Sequence, residues 1–238
     1  MKFKNDKQRK AMWANKKKKS INSSELNQIV KTKTNTRVNE DYGKIIAFGY
    51  EELKNKPRDK KVKEAYDVFI RETLQQAKDI KKSGIIFEPT DKDMYQTENE
   101  MVNDVKNNHH IYYRPSEDDY KGIEDNPLYA MTDFTNVFGQ KMRANDLFRV
   151  VHDINGHAKA HHATFTPEGE QKAFVEHKKM YSAGAIRALF TETQGQGNWL
   201  NFNKKTGKQN RHFQDIGELD KLKFPKQKAG LFPDEVVF

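Results

Sequence analysis

The sequence predicts a predominantly α-helical α+β domain preceded by a basic N-terminal leader. Apolar residues recur at helical spacing over several segments, whereas residues 84–89 alone combine a short apolar run with the terminal proline typical of a strand. A chain of 238 residues is long enough for one sizeable hydrophobic core. We therefore assign residues 1–44 to a basic, poorly ordered leader and linker, and residues 45–238 to a single helical domain.

The positive charge of the chain lies at its beginning. The net charge is +9, and the first 40 residues contain 12 basic and 3 acidic residues. The run Lys16, Lys17, Lys18 and Lys19 can contact the phosphates of a nucleic acid without sequence preference. A solvated terminus is the alternative interpretation, because runs of like charge repel one another.

Composition excludes several classes of function. The chain has no cysteine, which excludes disulfides, thiolate metal sites and thiol nucleophiles. No apolar region follows the leading charges, and no apolar run reaches the roughly 18 residues of a membrane span. We expect a cytoplasmic protein that does not contact membranes.

Helix signals follow one another along the chain. Apolar residues at helical spacing predict an amphipathic helix over 59–82, ended by Gly84, and a weaker helix over 91–106. Residues 112–131 read as a long irregular loop. A helix opening at Ala144 or Asn145 delivers His152, and Thr166 followed by proline opens the next one. Ser182 begins a last helix, and we expect the apolar tail 224–238 to lie against the body.

The most informative motif is the pair His152 and His157. Two imidazoles and one acid can hold a divalent metal on one side and leave the other side open for chemistry. In an α-helix, positions five apart differ by about 140° in direction, so an unbroken helix cannot aim both rings at one ion. We therefore predict that the helix ends or unwinds at Gly156, turning His157 towards His152.

Glu192 is the predicted third ligand. Small and apolar residues share its helical face, which places its carboxylate towards the interior, where an acid needs a partner. A metal ion would provide that partner. A buried arginine, Arg149 or Arg187, would provide it equally, so both interpretations stay open.

The same residues resemble a known family. Residues 151–157 read Val-His-Asp-Ile-Asn-Gly-His, similar to the Cys-His-Glu-Leu-Leu-Gly-His segment of the pterin-dependent aromatic amino acid hydroxylases. Phe190-Thr191-Glu192 is similar to their Phe-Thr-Val-Glu segment. The resemblance covers about residues 144–200 and implies that His152, His157 and Glu192 form a facial triad on iron(II).

The resemblance also implies a function and its accessories. It implies a mononuclear non-haem iron oxygenase or hydroxylase that activates oxygen and acts on a small-molecule or nucleotide substrate. Fe(II) is the preferred metal, with Zn or Mn as alternatives, and a pterin is the co-reductant that the family uses. Asp153 would orient a ligand imidazole, and we place His177 and Gln196 in or beside the pocket.

Two other readings remain. His152-Asp153 is also the dyad of HD-type metal phosphohydrolases, which would need an upstream histidine such as His110, a downstream aspartate such as Asp215 and a metal-activated water. The chain could instead be a nucleic-acid accessory protein that acts through its basic leader while the histidines only pack. The carboxylate that lies beside the imidazole pair distinguishes the two reactions: Glu192 there favours oxygenation, whereas Asp153 with Asp215 favours hydrolysis.

Overall fold

Helices form most of the described chain, and the strands are few and short, as the sequence predicts. The computed structural model describes residues 40–116, 123–159, 164–202 and 225–238, which all belong to the unit Val38–Phe238. The α-helices are α1 (Glu40–Glu52), α2 (Lys60–Lys82), α3 (Glu98–Asn103), α4 (Ala144–His152), α5 (Pro167–His177), α6 (Ala183–Phe190), α7 (Gln196–Phe202) and α8 (Asp234–Val237).

Shorter helical segments extend several of these helices. Two 3₁₀ turns span Pro127–Tyr129 and Lys178–Met180. Three π-helical segments, which we call the first, second and third wide turns, span Asp104–Asn108, Asp153–Ala158 and Thr191–Gly195. Each wide turn directly continues an α-helix; His152 is the last residue before the second, which contains His157, and the third contains Glu192.

The strands form two separate pairs. β1 (Ile86–Pro89) lies parallel to β2 (His110–Tyr113), and β3 (Met131–Thr135) lies antiparallel to β4 (Lys141–Arg143). The sequence predicted β1 and missed the other three; the irregular loop predicted over residues 112–131 overlaps only the end of β2 and the first residue of β3. The weaker helix predicted over 91–106 begins only at Glu98, as α3.

Helix α2 forms where the sequence predicts it. The side chain of Asp59 caps the helix by accepting hydrogen bonds from the backbone N–H groups of Lys61 and Val62. After Ser83 the chain turns at Gly84, whose φ of 90° is a conformation that only glycine adopts without strain. The helix packs against α4 and α6.

Two clusters of buried side chains make up the core, and both α2 and α4 contribute to each of them. From α4, Phe148 belongs to the cluster around α1, α6 and the C-terminal tail, while Leu147 and Val151 belong to the cluster around β1 and α3. His152 follows Phe148 by one helical turn, and the centroids of their rings lie 5.7 Å apart. The predicted metal ligand therefore stands at the end of a helix that is fixed on both sides.

The C-terminal tail packs on the body, as predicted. Ala229, Phe232 and Val237 are buried in the first cluster, and Arg187 donates a hydrogen bond from Nε to the carbonyl oxygen of Phe232. Helix α1 begins at Glu40, ahead of the predicted domain boundary at residue 45. Within the described ranges, none of the helices combines the length and the apolar character that a membrane crossing requires.

Candidate metal centre

A change of helical pitch brings His152 and His157 together. Helix α4 continues into the second wide turn without a break. In such a turn the backbone hydrogen bonds join residues five apart, so positions five apart come close to one face. The ring centroids of His152 and His157 lie 5.2 Å apart. The helix does not end at Gly156; it continues there with more residues per turn than an α-helix, which turns His157 towards His152 as predicted.

Gly156 is needed for close packing. A Cβ atom at this position would lie 3.1 Å from the ring of His152 and 3.2 Å from the Cβ of Ala173 in α5. Both distances are shorter than an ordinary van der Waals contact between carbon atoms. The missing side chain therefore lets the imidazole and helix α5 approach the wide turn.

Glu170, in the first turn of α5, completes the group. Its Oε2 lies 3.4 Å from Nε2 of His157 and 3.8 Å from Nε2 of His152. Among the described residues, His152, His157 and Glu170 are the one set of three whose donor atoms all lie within 4.8 Å of one another. The imidazoles are buried while the Glu170 side chain is 30% exposed, so the cluster opens to solvent on the glutamate side.

These distances fit a metal ion. Ligands about 2.1 Å from a common ion lie about 3.0–3.4 Å apart in octahedral or tetrahedral geometry. The two distances to Glu170 lie at and above the upper end of that range, and all three donor atoms lie within 4.8 Å of one another, so the side chains would move inward to bind one ion. Nε2 of His152 is buried and has no hydrogen-bond partner in the described chain, and a buried polar atom of this kind calls for one.

A hydrogen-bonded relay stands behind His152. Its Nδ1 lies 2.9 Å from Nδ1 of His177, and Nε2 of His177 lies 3.0 Å from Oε1 of Gln76. Gln76 also donates from Nε2 to the carbonyl oxygen of Met180, and Asn155 donates to Oε1 of Gln76. The carbonyl of Met180 accepts only, so it fixes which end of the Gln76 amide faces His177.

The relay determines the tautomer of His152. Burial, together with the charge of His152, holds the pKa of His177 well below its usual range, so His177 is neutral. Because Oε1 of Gln76 accepts, His177 carries its proton on Nε2 and presents a lone pair at Nδ1. His152 must then donate from Nδ1, so the proton that it gives up on binding a metal is the one on Nε2, the atom that faces Glu170. An imidazole in this state is ready to bind a metal.

The charge of Glu170 suits a cation. Burial opposes its ionisation, but the positive charges of His157 and His152 outweigh this and hold the pKa of the carboxyl well below its usual range. Glu170 is therefore a carboxylate at neutral pH. The cluster supplies two neutral imidazole nitrogens and one negative oxygen donor when a metal is bound.

Glu192, the predicted third ligand, lies elsewhere. It is buried, as predicted, but its carboxyl contacts the hydroxyl of Tyr66 and the amide Nε2 of Gln196, not the imidazole pair. Neither Arg149 nor Arg187 is its partner. Burial raises the pKa of Glu192 to about 8 despite these two hydrogen bonds, so the acid is largely protonated at neutral pH.

Of the remaining predicted residues, one lies beside the imidazole cluster, one lies beside Glu192, and several lie outside the described residues. His177 lies beside the cluster, where it positions His152. Asp153 accepts no hydrogen bond from either imidazole among the described contacts; burial raises its pKa, against the opposing charge of His157. Gln196 bridges Glu192 to Oε1 of Gln227. Lys16, Lys17, Lys18 and Lys19, together with His161, His162 and Asp215, lie outside the described residues.

Other histidines serve the scaffold. His110 lies 2.7 Å from Asp104 and 3.2 Å from Glu88 through its two ring nitrogens. It links β2 to β1 and to the first wide turn. Both ring nitrogens of this candidate upstream histidine of the dyad therefore face other carboxylates.

Sequence reasoning missed Glu170 and gave it no role. One signal could have found it. Glu170, Ala173 and His177 are spaced three and four residues apart and so share one helical face. A carboxylate on the same stripe as a buried histidine points towards the interior of the molecule.

Comparison of the chain with protein-family models, with curated proteins and with solved structures finds no match. Functional assignment therefore depends on the geometry of the site itself.

Proposed function

We propose that this protein is a mononuclear metal enzyme that binds iron(II) through His152, His157 and Glu170 and oxygenates a small-molecule or nucleotide substrate. The observation that carries the proposal is the buried, unpartnered Nε2 of His152, with Glu170 and His157 converging on the same point. Two histidines and one carboxylate form the donor set of non-haem iron oxygenases. This donor set leaves about half of an octahedral sphere open.

The chain's own residues would bind the ion, orient it and exclude water. His177 and Gln76 fix the lone pair of His152, while Phe148 and Phe165 pack against the two imidazoles. These apolar contacts leave the glutamate side as the open approach. Iron(II) in such a site supplies oxygen activation.

The overall reaction we propose is a hydroxylation. A substrate C–H bond breaks, and its carbon forms a bond to one oxygen atom of O₂. The other oxygen atom leaves as water. The two electrons and two protons that complete this balance come from an organic reductant of the tetrahydropterin class, as the resemblance to the aromatic amino acid hydroxylases implies. In this sequence Phe190-Thr191-Glu192 lacks the residue that separates Thr and Glu in that family, and Glu170 takes the place of the acid.

The test is metal analysis of anaerobically purified protein. We expect the wild-type chain to retain stoichiometric iron(II), His157→Ala and Glu170→Gln to lose it, and Glu192→Gln to keep it as the matched control. The wild-type protein should also consume oxygen when iron and a tetrahydropterin are added. Loss of metal in Glu192→Gln with retention in Glu170→Gln would overturn the proposed ligand set.

The identity of the metal tests the reaction class separately. Zinc uses the same donor set in hydrolytic enzymes. A protein that binds zinc tightly through these three residues and consumes no oxygen with iron would keep its metal centre and exclude the oxygenase proposal.

A further inference from the structure

The turn before α2 and the start of that helix form a concentrated positive surface. Residues 54–64 contain six basic and two acidic residues, whereas the chain after residue 40 contains 31 of each sign. The basic members, all exposed, are Lys54, Lys56, Arg58, Lys60, Lys61 and Lys63. We call these six residues the basic surface. It lies on the folded body, separate from the leader.

Few of these charges are neutralised within the described chain. Asp59 uses its carboxylate to cap α2. Lys60 lies 3.9 Å from Glu64, and Arg58 lies 3.6 Å from Asp125, and both are exposed contacts of the kind that stabilise a protein little. The other four lysines of the basic surface make no ion pair with described residues. A polyanion would satisfy them all at once.

The shape of the basic surface favours an extended ligand. One cleft of about 280 Å³ has an apolar floor that includes Val62 and Leu231, and Lys54, Lys56 and Lys61 at its sides. A second, of about 400 Å³, is lined by Lys56 and Arg58 and by the acids Asp59 and Asp125. The two clefts share Lys56 and Asp59, so the lysines of the first cleft and Arg58 of the second follow one path, in which Asp59 caps α2 and Asp125 lies near Arg58. A single small anion would reach only part of that path.

We propose that the basic surface binds the phosphate backbone of a nucleic acid. Repeated phosphates match repeated lysines along a path, and such contacts position a strand without reading its bases. The contacts should release counterions, so the affinity should fall steeply with salt. This inference goes beyond the metal centre and does not depend on it.

The experiment measures the binding of fluorescent DNA and RNA oligonucleotides to the full chain by anisotropy over a range of salt concentrations. The test variant is the triple substitution Lys54→Gln, Lys56→Gln and Lys61→Gln. The matched control is Lys78→Gln, Lys92→Gln and Lys172→Gln, three exposed lysines outside the basic surface. Both variants retain the leader and lose the same charge.

We expect the test variant to bind about tenfold or more weakly at 0.1 M salt, with a salt slope lower by about one for each lysine removed. The control should change little. Equal effects of the two variants, or no effect of the first, would overturn the proposal. Binding to anionic lipid vesicles without binding to nucleic acid would also overturn it. Metal content should be the same in all three proteins, so this result is independent of the proposed function.

Discussion

At the scale of single residues, the position of one proton prepares the metal centre. His152 can present Nε2 to a metal only if its proton sits on Nδ1, and the neutral His177 accepts that proton through its own Nδ1. Gln76 in turn accepts from His177. Three side chains from α4, α5 and α2 thus determine one lone pair, so residues that never contact the ion should affect its binding.

The relay predicts a graded effect of substitutions at His177. His177→Leu removes the acceptor for Nδ1 of His152, and we expect the affinity for iron(II) to fall by about 10–100-fold. His177→Asn places an amide oxygen near the former Nδ1, so it should retain more of the affinity. Anaerobic metal titration with a competing chelator measures both variants.

Thermal unfolding of the metal-free variants is the control for this prediction. If His177 only fills space, the two variants will lose metal affinity in proportion to their loss of stability. Equal affinities for the leucine and asparagine variants would contradict the positioning role.

The sequence identified some of these residues for sound reasons and missed others. His152 and His157 stand out because two imidazoles beside a glycine form a local pattern. The burial of Glu192 follows from its helical face. Its true partner, Tyr66, is 126 positions away along the chain, and no local pattern reports a contact of that separation. The helical face of Glu170 could likewise be read from its spacing to His177, but its approach to the imidazole pair depends on how α5 packs on the second wide turn.

At the scale of elements, the wide turns explain why the spacing of a regular α-helix does not give the relative directions of His152 and His157. The sequence argument used the geometry of a regular α-helix, in which His152 and His157 face different directions. One extra residue in a turn corrects this while the apolar positions on both sides keep their spacing. A local change of pitch therefore leaves little trace in the hydrophobic pattern. The starts of α2, α5 and α6 were predicted at Asp59, Thr166 and Ser182, and the side chains of Asp59 and Thr166 cap their helices.

Packing of α5 on the second wide turn gives the next prediction. Gly156→Ala should lower the free energy of unfolding by about 1–3 kcal/mol, because the new methyl group meets His152 and Ala173. It should also weaken metal binding, since His152 must move. Urea unfolding and metal titration measure the two effects.

Gly184→Ala, in the first turn of α6, is the matched control. A Cβ atom there would lie 3.6 Å from Val68, an ordinary contact, so the change should be neutral or stabilise by about 0.4–1 kcal/mol. If Gly156→Ala behaved in the same way, the close approach of α5 would not be required.

At the scale of the whole molecule, the C-terminal tail closes a second polar group around Glu192. Tyr50 donates from its hydroxyl to the carbonyl oxygen of Lys226, and the hydroxyl of Tyr66 lies 3.4 Å from the carbonyl oxygen of Lys228. Helices α1 and α2, the third wide turn and the tail thus meet at one buried acid. The fold class could be read from periodicity, but this junction joins segments from both ends of the described chain, and only the folded structure reveals it.

Burial of this acid predicts how the stability of the molecule depends on pH. Its pKa is raised from 4.5 to about 8 in the folded state. Between these values the folded chain holds a proton that the unfolded chain has released, so the free energy of unfolding should fall as the pH rises, by up to about 1.4 kcal/mol per pH unit. Above about pH 8 this contribution levels off.

Glu192→Gln isolates this effect, because a glutamine matches the protonated acid: its amide can donate to Tyr66 while its oxygen accepts from Gln196. We expect the variant to lose most of the decline in stability between about pH 5 and 8, and to become more stable than the wild type at the upper end. Urea unfolding of both metal-free proteins across this range measures the difference, in which other titrating groups cancel. Parallel pH profiles would mean that Glu192 is ionised in the folded chain, and a carboxylate buried at this junction would then require a cation beside it.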